Sequence, residues 1–454
     1  MREVHLNSRL VFHAPSLTAD EIEKLKELSS GSNPAYKSYE KLIRLRPGLA
    51  YSKSYQVPPQ TIQLWTEYSD SLLHLFEVPR GLYKEVEKMG FKLVSSTVPV
   101  PAKFELDAVL RLYQEEAVDE VTKERYGLLE APTGSGKTIM GLAIATKLQQ
   151  KTLFVVHTKT LLKQTINEVE KKLHIKAGVI GDGKYDIKDF TVATIQTLMR
   201  KPIPDNEFGL IIFDECHHVP ATTFTKVARS IKAHYMYGLS ATPTRPDGLT
   251  WALHATIGPT LYTVPREVLL KNKSIVKPQI ITVPTPYKPT TVFDPFDVAS
   301  HLNDIAQNEH RNLFLVSYIE KVFREHPETR PVILTDRINH VEYLAKALAD
   351  KDPIIYHGQL GAKEQQTNLH LIKTTTRLTI ATYSSIGEGF DVPLWDTLFL
   401  ATPFSSPVRL VQVIGRVSRP APGKSTAYVH DFVDIYDSVL YSRYEKRQKA
   451  YDAL

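Results

Sequence analysis

From residue 126 onward the chain keeps returning to short, unbroken apolar runs: YGLLEA, TLFVVH, FTVATI, FGLIIFD and YMYGLS, each closing on polar or turn residues. A strand wetted on one face alternates apolar and polar side chains, whereas a run without alternation is buried on both faces. With helical stretches between them, such runs specify a parallel sheet covered by helices on both sides. A second series follows: PVILT, PIIYH, LTIAT, TLFLAT and TAYVHDF. The fold class expected is α/β, with two doubly wound parallel-sheet domains of similar size. Pro, Lys and Thr gather between residues 264 and 291, which sets the expected boundaries at 106–265, a linker at 266–291, and 292–454. Residues 1–105 read differently, as a small α+β module. Its first helix is expected to run from Thr18 through ADEIEKLKEL, with Thr18 as N-cap and Glu21 closing a capping box.

Composition narrows the function classes. The chain has 454 residues, 42% hydrophobic and 23% charged, with a formal net charge of +6 and one cysteine. Two or three domains are the natural expectation at this length. One cysteine excludes an internal disulfide, a Cys-rich zinc module and a four-cysteine iron–sulfur cluster, and fits a reducing, intracellular compartment. No run of about 18 apolar residues suggests a membrane span, and MREVHLNSRL lacks the apolar core of a signal peptide. The mild basicity is compatible with a polyanionic partner without specifying one.

The stretch LLEAPTGSGKT, residues 128–138, is a strand, a Gly-rich turn and a helix start. Ala131 to Thr138 match a phosphate-binding loop in which Ala replaces the usual first Gly. Thr133, Gly134, Ser135 and Gly136 supply a turn whose N–H groups can curl around a phosphate. Lys137 reaches the β and γ phosphates, and the Thr138 hydroxyl ligates Mg²⁺. The following helix adds its dipole at the anion. The cofactors expected are ATP and Mg²⁺.

A second apolar strand ends in LIIFDECHHVP, residues 210–220. Beside a phosphate loop, Asp214 is placed to hold Mg²⁺ and Glu215 to polarise the attacking water. Zinc is the competing reading of this polar cluster. Neighbouring side chains on an extended segment point opposite ways, so Cys216, His217 and His218 do not converge on one ion. Cys216 is instead expected in the core.

Asp-Glu-Cys-His after a phosphate loop resembles the DExH motif of superfamily 2 helicases, and further pieces follow in that family's order between residue 110 and about 435. LRLYQ is similar to the glutamine element that reads adenine, which assigns Arg111 and Gln114 to the nucleotide. FVVHTKTLLKQ and VATIQTL resemble the nucleic-acid elements of a first motor domain, and GLSATPTR resembles motif III, where Ser240 and Thr242, with His217, couple nucleotide state to the bound strand. IATYSSIGEGFDVP resembles motif V, placing Gly389 and Asp391 near the ribose. QVIGRVSRP resembles motif VI, with Gln412, Arg416 and Arg419 acting on the nucleotide. The two arginines are three apart and share a face if that segment is helical. The nucleic-acid backbone is assigned Thr158, Lys159, Thr194, Gln196, Thr197, Arg337 and Thr382, residue types suited to phosphate contacts. The resemblance implies two RecA-like motor domains with an ATP cleft between them.

Within the superfamily the motifs look most like the UvsW and XPB branch. The implied partner is DNA, forked, branched or single-stranded, with movement 3′ to 5′. An RNA helicase and an ATP-binding clamp without motor activity are the competing functions; neither a membrane nor an oligomer is required. In the N-terminal module, YKSYEKLIRLRPGLAYSKSY interleaves cations with tyrosines. It fits a nucleic-acid surface and, equally, an amphipathic helix with Leu42 and Ile43 turned inward.

Overall fold

The computed structural model describes residues 2–45, 57–70, 73–217, 221–241, 247–289, 297–375, 377–386, 390, 392–404 and 406–451. The chain forms two compact units. Met1–Pro132 and Gly136–Pro265 make one; Thr133–Ser135 and Arg266–Leu454 make the other. Among the described residues no helix is long and apolar enough to cross a membrane.

The first unit contains an eight-stranded sheet. Its spatial order is Lys184–Asp186, Gly178–Gly181, Phe190–Thr194, Thr152–Val156, Leu210–Asp214, Tyr235–Ser240, Tyr126–Glu130 and Thr260–Thr263. All neighbours run parallel except the outer hairpin at Gly178–Asp186. Every residue of Thr152–Val156, Phe190–Thr194 and Leu210–Asp214 is buried, as unalternating runs require. The covering helices follow from sequence spacing. In Lys159–Leu173 the buried positions Leu162, Thr165, Val169 and Leu173 fall three or four apart, a single stripe on the helix.

The second unit holds a six-stranded, fully parallel sheet in the order Pro278–Pro284, Ala427–Val433, Thr397–Leu400, Pro331–Thr335, Thr379–Thr382 and Ile354–Tyr356. All ten runs singled out in the sequence are strands, and both units have the RecA-like α/β architecture. The expected linker, 266–291, holds a helix, Arg266–Lys271, and the edge strand Pro278–Pro284, paired residue for residue with Ala427–Val433. Its prolines stand at the ends of that strand, where an edge position tolerates their missing N–H.

Three acids, one in the strand Ala427–Val433 and two just after it, fasten helices around the second sheet. Asp431 accepts from Arg447 Nε at 2.8 Å and Nη2 at 2.9 Å on the helix Ser438–Tyr451. Asp434 accepts from Arg311 Nε at 2.7 Å on Glu309–Glu325. Asp437 lies 2.8 Å from His301 Nε2 on Val298–Gln307. Arg311 and Asp434 are 0% exposed at their side chains, Arg447 and Asp431 1%.

The N-terminal module is a five-stranded mixed sheet, ordered Thr66–Ser69, His74–Pro79, Arg9–His13, Arg2–Leu6 and Phe91–Ser95. The helix Ala19–Leu28 begins as read from sequence: Glu21 N donates to Thr18 Oγ1 at 3.2 Å and Thr18 N donates to Glu21 Oε2 at 2.9 Å. The module shares one hydrophobic core with the eight-stranded sheet, running from Val4 and Phe76 to Leu128 and Phe213. Arg80, 1% exposed, donates to Ser8 O inside the module and to Ile231 O and Ala233 O beyond it. At Gly81 any Cβ would collide with the carbonyl oxygens of His254 and Ala255, so only glycine permits that approach.

Candidate active site

Register places the chemistry. Asp214 pairs with Leu239 and Ser240 with Glu130, so three adjacent parallel strands end level. Open α/β sheets bind ligands at this carboxyl edge. The phosphate loop, the Asp-Glu-Cys-His stretch and Ser240 all leave from it.

Gly134 and Gly136 have φ of +88° and +84°, left-handed values that an L side chain reaches only with strain. A Cβ on Gly136 would stand 2.5 Å from Nε2 of Gln114. Gln114, from the start of the helix Leu112–Val121, therefore lies against the loop, and its Oε1 accepts from Arg111 N at 2.9 Å. Arg111 itself is exposed, with Nη1 3.4 Å from the Tyr113 hydroxyl. The helix Lys137–Leu148 begins directly after Gly136, so Lys137 and Thr138 occupy its first turn, where unpaired N–H groups and the helix dipole favour an anion.

Lys137 Nζ lies 3.1 Å from Glu215 Oε1 and donates to Ala131 O at 3.2 Å. Sequence reading missed the Ala131 carbonyl, because a main-chain acceptor leaves no trace in residue type. Both charged side chains are largely sheltered, 10% and 15% exposed. Asp214 is buried, and its Oδ1 accepts from Glu215 N at 3.0 Å. Glu215 has a φ of +47°; a non-glycine residue held there is strained by about 1–3 kcal/mol. Thr138 and Asp214 provide oxygen donors of the kind Mg²⁺ prefers, one on the first helical turn and one at a strand end. The donor set fits that ion.

His217 leaves the same strand end and turns inward. Its Nδ1 is 2.7 Å from Ser240 Oγ and 3.6 Å from Glu215 Oε2. A direct contact thus connects the acidic stretch to the end of the neighbouring strand. Cys216 is fully buried in the core, as expected, and its N–H donates to Leu239 O. His218 and Thr242 lie outside the described residues.

The residues assigned to nucleic acid in the first unit gather at the same sheet edge, since Thr194 pairs with Val156. Thr158 caps the helix Lys159–Leu173 by accepting from Leu161 N at 3.2 Å. Oγ1 of Thr194 and Oγ1 of Thr197 are 2.8 Å apart, and Gln196 Nε2 donates to His157 O at 2.8 Å. Lys159 is exposed and 2.9 Å from Asp182.

In the second unit Thr382 pairs with Thr335, two residues before Arg337. Thr382 is buried and donates to Ser385 Oγ at 3.0 Å; Arg337 Nη2 donates to Ala299 O at 3.0 Å. Gln412 and Arg416 lie one turn apart on the helix Pro407–Val417. That helix ends before Arg419, so the two arginines do not share a helical face as the sequence suggested; Ser418 already has non-helical dihedrals. Arg416 is buried and donates through Nη1 to Phe390 O, while burial lowers the pKa of Arg419. Gly389 and Asp391 lie outside the described residues. So do Arg46, Tyr51, Lys53 and Tyr55 of the tyrosine-rich N-terminal stretch, whose described part, Pro34–Leu45, is a helix.

Residues 107–245 match the model of the type III restriction enzyme res subunit, and residues 314–421 match the helicase conserved C-terminal domain. The protein L396 of Acanthamoeba polyphaga mimivirus, named as an ATP-dependent RNA helicase, is 27% identical over 75% of this chain and 67% of its own length. The DNA 3′-5′ translocase XPB2 of Sulfurisphaera tokodaii is 38% identical over 34% of this chain and 35% of its own. The crystal structure of T4 UvsW aligns over 100% of this chain and 97% of that one, at 16% identity and a TM-score of 0.43. Beyond the first relative, the chain spans about half or less of the next three curated relatives, 35%, 54% and 52% of their lengths.

Proposed function

We propose that this chain, which belongs to the superfamily 2 helicases, hydrolyses ATP to move along DNA. The reading takes the movement as 3′ to 5′, with unwinding or branch migration of forked and branched DNA. One observation carries the catalytic part: Lys137 and Glu215, far apart in sequence, meet at 3.1 Å where their strands end level.

Each residue's part follows from its place. The loop from Thr133 to Gly136 wraps the phosphates with main-chain N–H groups, and Lys137 supplies the cation for the β and γ oxygens. Mg²⁺, held by Thr138 and Asp214, would neutralise phosphate charge during transfer. Glu215 accepts the proton of the attacking water, and its left-handed backbone aims the carboxylate toward Lys137 rather than along the strand. Gln114, against the loop, reads the base. Gln412, Arg416 and Arg419 act on the γ phosphate, where an arginine stabilises developing charge. His217 and Ser240 carry the nucleotide state to the neighbouring strand end. Thr158, Lys159, Thr194, Gln196, Thr197, Arg337 and Thr382 grip the backbone, and the N-terminal module adds a further DNA surface. A monomer suffices.

DNA over RNA is supported by the naming of XPB2 and by the motif resemblance; the naming of L396 favours RNA as the second reading. The test is ATP turnover with forked DNA, four-way-junction DNA, flush duplex and matched RNA as stimulants, together with strand separation on each. Greater stimulation by RNA than by DNA overturns the DNA assignment, and ATP-dependent nucleic-acid binding with neither turnover nor remodelling reduces the protein to a clamp.

A further inference from the structure

A second cationic cleft lies in the first unit, away from the phosphate loop. It encloses about 500 Å³ between the N-terminal module and the helix Ala221–Ser230. Thr222, Thr225, Lys226 and Arg229 of that helix line it, at spacings of three, one and three that put them on one face. The module contributes Arg9, Gln63 and Thr66. Ile62, Leu64, Leu249 and Ala252 supply an apolar wall.

The charges are not balanced. Arg9 pairs with Glu77, and Arg229 Nη2 reaches the Thr66 hydroxyl at 3.3 Å. Yet Nε of Arg9 and Nε of Arg229 are both buried without a hydrogen-bond partner, and Lys226 is exposed and paired with no acid among the described residues. Burial and the neighbouring Arg9 both lower the pKa of Arg229. Three cations face one carboxylate, and two buried donors point at nothing. Buried donors are normally satisfied, and an anion placed among them would meet both needs.

We propose that this cleft is a second site for a nucleoside phosphate, distinct from the phosphate loop. The phosphate takes Arg9, Lys226 and Arg229, with hydroxyls from Thr66 and Thr222, and the base lies on the apolar wall. Inorganic phosphate alone would leave that wall and most of the volume unused, whereas a cavity of this size suits a ligand of mononucleotide scale. The ligand is either a free nucleotide or one residue of a nucleic-acid strand. The strand source rests on the nucleic-acid reading above; the free-nucleotide source does not.

The full chain carrying Lys137→Ala, which disables the phosphate loop, is titrated with AMP by calorimetry and with a short thymidine oligonucleotide by fluorescence anisotropy. Both are repeated with Lys226→Glu added; a thermal melt checks that this exposed, unpaired position leaves the fold intact. AMP binding weakened about tenfold by Lys226→Glu identifies a free nucleotide, the scale expected for losing a charge-assisted contact. Oligonucleotide affinity falling about tenfold while AMP does not bind identifies a strand residue. If Lys226→Glu changes neither AMP nor oligonucleotide affinity, whether or not AMP binds the K137A protein, the proposal is overturned. ATP turnover of the wild-type chain, measured separately, reports on the motor reading, so failure of one is distinguishable from failure of the other. Arg229→Lys, which keeps the charge but cannot present two nitrogens to one phosphate, is expected to weaken whichever ligand binds.

Discussion

Around the first parallel sheet, Lys137, Asp214 and Glu215 stand at the carboxyl edge, beside a turn with two left-handed glycines, Gly134 and Gly136, and Glu215 is left-handed itself. Around the second, charges are sealed inside: Arg311 with Asp434, Arg447 with Asp431. The same architecture thus places its polar irregularities in two ways. At the first sheet they are held in strained, nearly accessible positions that a phosphate can use. At the second they lock helices to one strand and its exit and are closed to ligands. A charged residue in a doubly wound sheet is therefore informative only with its depth and its backbone.

That contrast is broken hardest at Glu215. Glu215→Gln keeps the shape and removes the base, and is expected to slow ATP turnover by about 10²–10⁴-fold while nucleotide binding persists in equilibrium titration. Retained turnover would sink the assignment, and ATP-dependent nucleic-acid binding that the substitution leaves unchanged, with no turnover or remodelling in either protein, would favour the clamp. Next comes Asp434→Ala, which strands the buried Arg311 charge. It is expected to cost about 3–5 kcal/mol, seen as a lower denaturant midpoint for the second unit. A loss under 1 kcal/mol, on the order of an exposed pair, would mean that the pair is not sealed.

A smaller effect depends on pH. Burial pushes the His340 imidazole down to about 3 from 6.5. The folded state disfavours the charged ring, so this stability is complete above pH 6.5 and is lost as pH falls toward 3. By pH 5 the loss is about 2 kcal/mol, and His340→Gln is expected to flatten that slope in acid denaturation curves. The smallest change is Ser240→Ala, which removes the contact to His217. About 1 kcal/mol of stability is at stake, but stimulation of turnover by nucleic acid should fall more than basal turnover. Equal falls in both would leave the contact merely structural.

The fold was legible where burial is two-sided: ten unalternating apolar runs became ten strands. Strands at the rim were not. Gly178–Gly181, Thr260–Thr263 and Pro278–Pro284 are short, glycine-bearing or proline-bounded, and their pairing partners, not their own residues, make them strands. The glycine turn before Lys137 and the strand ending at Asp214 were legible in shape, because their residue types leave few other local conformations. Glu215's left-handed backbone was not, since no residue type announces it. The end of the helix ahead of Arg419 does carry a signal, Pro420, which disfavours helical backbone at the residue before it. The ion pairs of the second unit join residues 123 and 16 positions apart, a distance at which composition carries no information about pairing.

The buried guanidinium of Arg80 has one more consequence. It closes hydrogen bonds on both sides of a border that the sequence draws near residue 105, and Gly81 admits no side chain beside it. A chain begun at residue 106 would leave the carbonyls of Ile231 and Ala233 without their donor and open the shared core to water. Such a border offers recombination no seam: exchanging either segment alone would break contacts that the other supplies.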